Sequence, residues 1–189
     1  LSIRRQRQMC IRDISQIELR LLAHFSQDAE MVKSFKHGED IHTKTASEIL
    51  NLNKDLIEEN QRRIAKTLNF GILYGIGPKR LALQINQDSK TSKTYIQKYF
   101  ERYSGVKRFF DETINLTRQR GYSETLLKRR RRIENINSNN FALRAAGERA
   151  AINTPIQGSA SDVIKEAMIS INNDLSMKNY SKMIMQVHD

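Results

Sequence analysis

Apolar residues recur three and four positions apart along most of the chain, which is the period of an amphipathic α-helix. This spacing predicts helices over residues 15–25, 41–50, 55–74, 91–103, 106–114, 140–152 and 157–171. Residues 26–40 lack the period and are expected to form a loop. Extended patterns are short, at 121–125 and 183–189, and the first should enter a small hairpin. We therefore expect an α+β fold that is predominantly helical.

Two helix boundaries carry recognisable signals. Ser15 and Glu18 form the S-x-x-E pattern of a capping box, which should open the first helix. Asn153 and Pro155 should end the helix that begins near residue 140, because proline lacks the backbone N–H that a helix interior requires. A second helix is then expected from Gln157.

The helix over residues 55–74 places four chemically distinct side chains on one face. Arg62, Lys66, Phe70 and Tyr74 lie four residues apart, so each is rotated by about 40° from the last, and together they span roughly 18 Å. Two cations suit phosphates and two rings suit a base. The alternative is an ordinary amphipathic core helix whose cations extend to water. Gly75 and the residues after it should end the helix.

Composition favours a polyanionic partner. Lys and Arg number 32 against 21 Asp and Glu, a formal net charge of +11 over 189 residues. Nucleic acid is the first candidate and an anionic membrane the second. The chain has one cysteine, which excludes an internal disulfide and a cysteine-based zinc site. No apolar run approaches about 18 residues and no signal peptide is visible, so we expect a soluble intracellular protein.

The most basic stretch is 118–132, with seven cations and a single acid, Glu124. Residues 121–133 should form a small hairpin with arginines at its tip. Consecutive cations repel one another unless an anion lies nearby, so contact with a phosphate backbone is the favoured interpretation and a solvated surface is the alternative. The aromatic residues at 95–110 could stack on single-stranded bases, but their spacing favours core packing.

Several ordered segments resemble family A DNA polymerases of the bacterial DNA polymerase I type. Residues 62–75, RRIAKTLNFGILYG, resemble the nucleotide-binding helix of that family. The other matching segments are DISQIELR at 13–20 (motif A), DIHT at 40–43, ERAAINTPIQGSASD at 148–162, and VHD at 187–189 (motif C). The sequence departs from the family pattern at Ile14, at Lys128 in place of a turn glycine, and at Glu134 in place of a proline.

The resemblance implies a role for each matching residue. Asp13 and Asp189 would bind two Mg²⁺ ions and, with Lys66 as the proton donor to pyrophosphate, form the catalytic set. The incoming nucleotide would be bound by Arg62, Lys66, Phe70, Tyr74, His42 and Glu18, with Glu18 filling the space of a ribose 2′-OH. The DNA would be contacted by Arg149, Asn153, Gln157, His188, Arg129, Arg130 and Arg131.

The resemblance also implies a right-hand polymerase architecture in which this chain is an incomplete part. Residues 1–12 are expected to be a sequencing-adapter scar, 13–30 and 153–189 fragments of the antiparallel palm, and 31–152 the fingers. The expected function is DNA-templated DNA synthesis on a primer, with the isolated chain inactive alone. Primer-template DNA and deoxynucleoside triphosphates are the expected partners of a monomer that is cytoplasmic and nucleoid-associated if bacterial.

Two other functions remain open at this point. A non-catalytic helical module that binds nucleic acid would explain the charge, and it would require neither Asp13 nor Asp189. An RNA polymerase of the same single-subunit superfamily is disfavoured by Glu18 and Phe70.

Overall fold

The computed structural model describes residues 16–174 together with residues 183, 185 and 186. Its described residues contain the helices α1 Ile17–Ser26, α2 Ala29–Lys36, α3 Ile41–Leu50, α4 Glu59–Leu73, α5 Pro78–Ile85, α6 Ser89–Arg102, α7 Ser104–Arg120 and α8 Phe141–Asn173, a 3₁₀ helix at Lys54–Leu56, and the strands β1 Tyr122–Glu124 and β2 Arg130–Arg132. The prediction of a mainly helical fold is confirmed.

Helix α1 lies at the centre of the packing. Leu19 and Leu22 are fully buried, and α1 contacts α2, α4, α7 and α8. The same core includes Tyr99, Tyr103 and Phe110, so the prediction that the aromatic residues of α6 and α7 pack inside is confirmed. This core holds one face of α4 and leaves the other open.

The first two helices begin differently. Helix α1 is preceded by Gln16 in the left-handed conformation (φ 58°), and Gln16 makes no side-chain cap bond within the described residues. The predicted capping box of Ser15 and Glu18 stays a prediction. Ser15 lies outside the described residues. Helix α2 stands where a loop was expected, because the Asp28 carboxylate accepts hydrogen bonds from Glu30 and Met31 N–H (both 3.1 Å) and Met31 is fully buried.

The predicted hairpin forms from β1 and β2, which pair antiparallel with Tyr122 opposite Arg132. Arg130, Arg131 and Arg132 form strand β2, and Arg129 lies in the connection between the strands. Lys128, at the position of the family's turn glycine, adopts φ 63°, a left-handed conformation that costs a residue with Cβ about 1 kcal/mol. The turn therefore forms without glycine, and the hydrogen bond from Lys128 N–H to Thr125 C=O (3.0 Å) closes it.

The break predicted at Asn153–Pro155 is wrong, since α8 is one helix of 33 residues with Pro155 inside it. Proline cannot donate to the carbonyl four residues earlier, which here is Ala151. The Ser123 hydroxyl of β1 donates to that carbonyl instead (2.9 Å), so the acceptor is satisfied. The helix continues because a residue remote in sequence replaces the missing donor.

The described residues contain a single sheet, the β1–β2 hairpin. Of the strand expected at 183–189, only residues 183, 185 and 186 are described, and none of them is in a strand. The rest of that strand lies outside the described residues. Across the described part of the chain, none of the helices combines the length and apolar character needed to cross a membrane.

Candidate nucleic-acid interface

Helix α4 presents the predicted row on its open face. The helix starts with a capping box in which the Gln61 side chain accepts from Glu58 N–H (2.9 Å). Its buried face carries Ala65, Leu68 and Ile72, while Lys66 on the opposite face is exposed. The chain turns after the helix, where Tyr74 is the C-cap residue and Gly75 adopts φ 68°. The predicted end of the helix is therefore confirmed.

A cavity of about 900 Å³ lies between α4, α5 and α8. Its described lining residues are Arg63, Lys66, Thr67, Phe70, Gly71, Tyr74, Gly75, Ile76, Gly77, Arg80, Gln84 and Arg149. Four of them are cations and none is an acid, so the cavity has a positive potential that an anionic ligand can neutralise. Two aromatic rings in the same wall can stack on a base.

The cavity joins residues that the sequence assigned to different ligands. Lys66, Phe70 and Tyr74 were predicted to bind nucleotide, whereas Arg149 of α8 was predicted to contact DNA. Gly75 allows the approach, since a Cβ at this position would lie 2.7 Å from Cγ of Arg149. The left-handed turn at Gly75 thus brings the end of α4 against the stem of Arg149.

Sequence reasoning missed several cavity residues, among them the polar side chains of Arg63, Arg80 and Gln84. Arg63 lies about 100° around α4 from Arg62, so it is outside the row that runs from Arg62 to Tyr74. Arg80 and Gln84 are four residues apart on α5, a spacing that places them on one face. That spacing was a usable signal, but no local pattern indicated that this face would oppose α4.

Arg62 is held by an acid rather than directed into the cavity. Its Nε lies 2.6 Å from Oδ2 of Asp40, the residue that caps α3 through the backbone N–H of His42 (3.2 Å). Thr43 also donates to Asp40 (2.7 Å). Burial raises the pKa of Asp40, but the hydrogen bonds from Arg62, Thr43 and His42 outweigh it and lower the pKa to about 2. A triphosphate would have to compete with this carboxylate for Arg62.

His42 lies in a buried polar network between α3, α4 and the end of α6. Its Nδ1 is 3.1 Å from the amide nitrogen of Asn69, which can only donate, so the imidazole hydrogen is assigned to Nε2. Asn69 also bonds Thr45, whose hydroxyl lies 3.1 Å from the Tyr103 phenol. Burial lowers the pKa of His42, which favours the neutral ring that this pattern requires.

Glu18 contacts the other end of the row. The Tyr74 hydroxyl donates to its carboxylate (2.7 Å), which ties the end of α4 to the first turn of α1. The two predicted nucleotide-binding residues are therefore brought together.

The predicted DNA contacts occupy different surroundings. Arg129 is paired with Asp162, and Arg130 lies 3.7 Å from Glu124 with its guanidinium 4.7 Å from the Tyr122 ring centroid. The other three lie as follows: Arg131 and Gln157 are exposed, and Asn153 has a buried Oδ1 without a hydrogen-bond partner in the described structure.

The proposed metal ligands Asp13 and Asp189, and the DNA-binding residue His188, lie outside the described residues. Within the part of the chain that the structure describes, no group of three or more His, Cys, Asp or Glu side chains is placed to hold a metal ion. The predicted catalytic set is thus represented here by Lys66 alone.

Comparison with known proteins gives consistent matches. The family model for DNA polymerase family A matches residues 2–189. The chain is 48% identical over 179 residues to DNA polymerase I of Streptococcus pneumoniae strain R6, and 49% identical over 178 residues to DNA polymerase I of Borreliella burgdorferi. Each match covers 94% of this chain and 20% of the relative, so the chain spans about a fifth of the length of these relatives.

A solved structure agrees in fold. The POL domain of Pol1 from M. smegmatis, in complex with DNA primer-template and dNTP, matches with a TM-score of 0.87 and 38% identity. The match covers 94% of this chain and 31% of that chain. Since the family model covers nearly the whole sequence and the fold agrees, this chain belongs to DNA polymerase family A.

Proposed function

We propose that this chain supplies the nucleotide-binding helix and part of the DNA-binding surface of a DNA-templated DNA polymerase. The observation that supports this proposal best is the cavity beside α4, which combines four cations and two aromatic rings without an acid among its described lining residues. Phosphates and a stacked base are the ligand groups that such a lining fits. The solved relative was determined with primer-template DNA and dNTP, which supports the same ligands here.

Within this proposal the α4 row has divided roles. Lys66 is exposed in the cavity and would contact the triphosphate, where it could protonate the leaving pyrophosphate. Phe70 would stack on the incoming base or sugar, and Tyr74 would border the templating position with Glu18 behind it. His42 is 2% exposed and does not line the cavity, so the neutral ring would donate from Nε2 to a phosphate oxygen only once the wall around it opens.

Asp13 and Asp189 would hold two Mg²⁺ ions, whose hard character suits carboxylate oxygens. When bound, such ions activate a primer 3′-OH and stabilise the charge on the transferred phosphate. Asp13 precedes Glu18 by five residues, so even an extended chain keeps the Cα of Asp13 within about 18 Å of the Cα of Glu18. This reach is compatible with metal binding near the cavity.

The DNA partner would be bound by Arg149, Asn153 and Gln157 along α8, with Arg130 and Arg131 of the hairpin on its phosphates. Amide side chains suit the minor groove, because its acceptors at N3 and O2 occupy similar positions in every base pair. We propose that the polymerase acts as a monomer and, in a bacterial cell, with the nucleoid.

A chimera tests the catalytic proposal. Residues 13–189 would replace the corresponding segment of the Streptococcus pneumoniae enzyme, followed by primer extension with Mg²⁺ and deoxynucleotides. We expect extension that is lost in Asp13→Ala and Asp189→Ala and reduced at least 100-fold in Lys66→Ala, about the contribution of one general acid. Lys79→Ala is the matched control, because Lys79 is exposed on α5 and lies outside the cavity lining.

Other outcomes identify the competing functions. If the chimera binds primer-template DNA but both aspartate variants extend primers normally, the catalytic assignment is wrong and the DNA-binding module is the better function. If ribonucleotides are incorporated as readily as deoxynucleotides, Glu18 does not exclude the 2′-OH and an RNA polymerase becomes the better assignment.

A further inference from the structure

One row of small residues on α8 faces the hairpin. Gly147, Ala151 and Pro155 are four residues apart, and Gly158 and Asp162 continue the same face. A Cβ at Gly147 would lie 2.9 Å from the backbone of Asn135, and one at Gly158 would lie 2.5 Å from the Thr125 side chain. The hairpin and the loop after it therefore pack directly on this face of the helix.

The hairpin bonds to α8 on both sides of Pro155. Before the proline, the Ser123 hydroxyl donates to the Ala151 carbonyl (2.9 Å), the acceptor that Pro155 leaves without a helical donor. After it, Leu126 N–H donates to the Ser159 hydroxyl (2.8 Å). The hairpin thus bridges the point at which the helix ladder is interrupted.

Arg129 and Thr125 close the far end of this bridge. Arg129 donates through Nε to Oδ1 of Asp162 (2.9 Å) and through a terminal nitrogen to the Gly158 carbonyl (3.0 Å). Thr125 donates to the other carboxylate oxygen of Asp162 (2.5 Å). The Asp162 side chain is only 6% exposed, and a buried carboxylate is costly unless it is paired and hydrogen-bonded. Asp162 therefore holds Arg129 and Thr125 in place.

The predicted DNA row lies on another side of the same helix. Arg149, Asn153 and Gln157 each follow a member of the hairpin-facing row by two residues, which places the two rows about 200° apart around the axis. The hairpin can therefore set the course of α8 without covering the residues that would meet DNA.

The geometry points to the hairpin as a splint across Pro155, in which Ser123, Thr125, Arg129 and Asp162 are positioning residues that hold the DNA-facing row of α8 in line. The inference rests on the proposed function for the role of that row. It reassigns Arg129 from phosphate contact to the splint, and it leaves the exposed Arg131 as a phosphate-binding candidate.

A double-mutant cycle between Ser123 and Pro155 tests the splint in the 189-residue chain. Ser123→Ala leaves a buried carbonyl unsatisfied, so we expect the unfolding equilibrium constant in urea to rise about tenfold. In a Pro155→Ala background the helix supplies its own N–H to Ala151, and the same Ser123→Ala change should raise the constant less than threefold. An equal effect in both backgrounds would overturn the splint, because a simple packing loss would not depend on the proline.

DNA binding gives the second readout, measured as the dissociation constant for a duplex at several salt concentrations. Ser123→Ala should weaken binding severalfold without changing the slope of log Kd against log salt, and Pro155→Ala should restore the affinity. Arg131→Gln should reduce the slope by about 0.9, the value for one phosphate contact, whereas Arg129→Gln should leave it unchanged. A slope change in Arg129→Gln equal to that in Arg131→Gln would return Arg129 to the DNA contacts.

The two proposals fail in distinguishable ways. If the unmodified chain does not bind duplex DNA, the proposed DNA-binding role fails, while the Ser123–Pro155 cycle still decides whether the splint exists.

A third measurement applies if the Ser123 variant does not fold. Arg129→Gln and Asp162→Asn should each destabilise the chain, and together they should cost clearly less than the sum of the single changes. Additive losses of stability would contradict the proposed coupling between Arg129 and Asp162.

Discussion

Asp40→Asn isolates the ion pair that holds Arg62. Asparagine caps helices as well as aspartate does, so its amide oxygen can still accept from His42 N–H while the negative charge is removed. Its amide nitrogen then faces the Thr43 hydroxyl, which can accept from it. The substitution therefore separates the cap of α3 from the 2.6 Å contact with the guanidinium.

The magnitude follows from the pKa of Asp40, which is lowered from its usual 3.8 to about 2. At 1.36 kcal/mol per unit, this difference corresponds to at most about 2.5 kcal/mol. The Asp40 and Arg62 side chains are 34% and 35% exposed, so solvent screening reduces the pair to about 1 kcal/mol. Asp40→Asn should lower the free energy of unfolding by about that amount at pH 7.

The pH dependence has a definite sign. Because the folded state lowers the pKa of Asp40, the stabilisation is fully present above about pH 4 and is lost as the pH falls through about 2. Urea unfolding at pH 7 and at pH 2 should therefore show a difference between wild type and variant that shrinks in acid. A difference that stays constant over this range would refute the ion pair as its source.

The same variant should bind a triphosphate more tightly, because Arg62 no longer has to leave a carboxylate. A gain of about 1 kcal/mol corresponds to about a fivefold lower dissociation constant, measurable by calorimetric titration of a deoxynucleoside triphosphate. Asp88→Asn is the matched control, since Asp88 caps α6 through Lys90, Thr91 and the Thr91 hydroxyl. Weaker binding in Asp40→Asn would show that Asp40 orients Arg62 for the ligand instead of competing with it.

Two further predictions concern the ends of the site. Tyr103→Phe removes a hydroxyl from the buried network at Thr45 and should cost about 1 kcal/mol at pH 7. Burial raises the pKa of Tyr103 to about 12, so its contribution is present below pH 10 and lost as the pH rises through 12, and the variant should lose less stability over that interval in alkaline unfolding. Gly75→Ala and Gly121→Ala both place a side chain at positive φ, but only the former would displace Arg149, while among the described residues no atom lies within 4 Å of a Cβ at Gly121. Both should lose about 1–2 kcal/mol in thermal unfolding, and only Gly75→Ala should also weaken DNA binding, so equal binding by both variants would contradict the Arg149 contact.

Helix rotation made the α4 row predictable from sequence. Residues spaced by four must share a face once the segment is helical, and the glycine after Tyr74 gave the end of the helix. The chemical types in that row then indicated phosphates and a base. What the sequence could not supply was the partner of each side chain. Asp40 meets Arg62, and Asn69 meets His42, only because α3 packs against α4.

Most of what the sequence could not supply is contact with residues distant in the chain. Pro155 should end a helix on local grounds, but Ser123, 32 positions earlier, supplies a donor to the Ala151 carbonyl. Arg129 is 54% exposed, as its cationic run predicts, and its pairing with Asp162, 33 positions later, is visible only in the structure. The loop expected at 26–40 is the exception, since the Asp28 cap of α2 was visible in the sequence and was overlooked.

The positions of the cations relative to the acids matter more than the net charge. Around α2, α3 and α6, the acids Glu30, Glu39 and Glu48 are paired with Lys44, Lys54 and Arg102. The cavity beside α4 has four cations and no acid in its described lining. A net charge of +11 indicates a polyanion without saying where it binds. The four cations of the cavity lie where the aromatic rings of α4 also lie, and this coincidence of phosphate-binding and base-stacking groups is what favours a nucleotide over a phosphate backbone at the cavity.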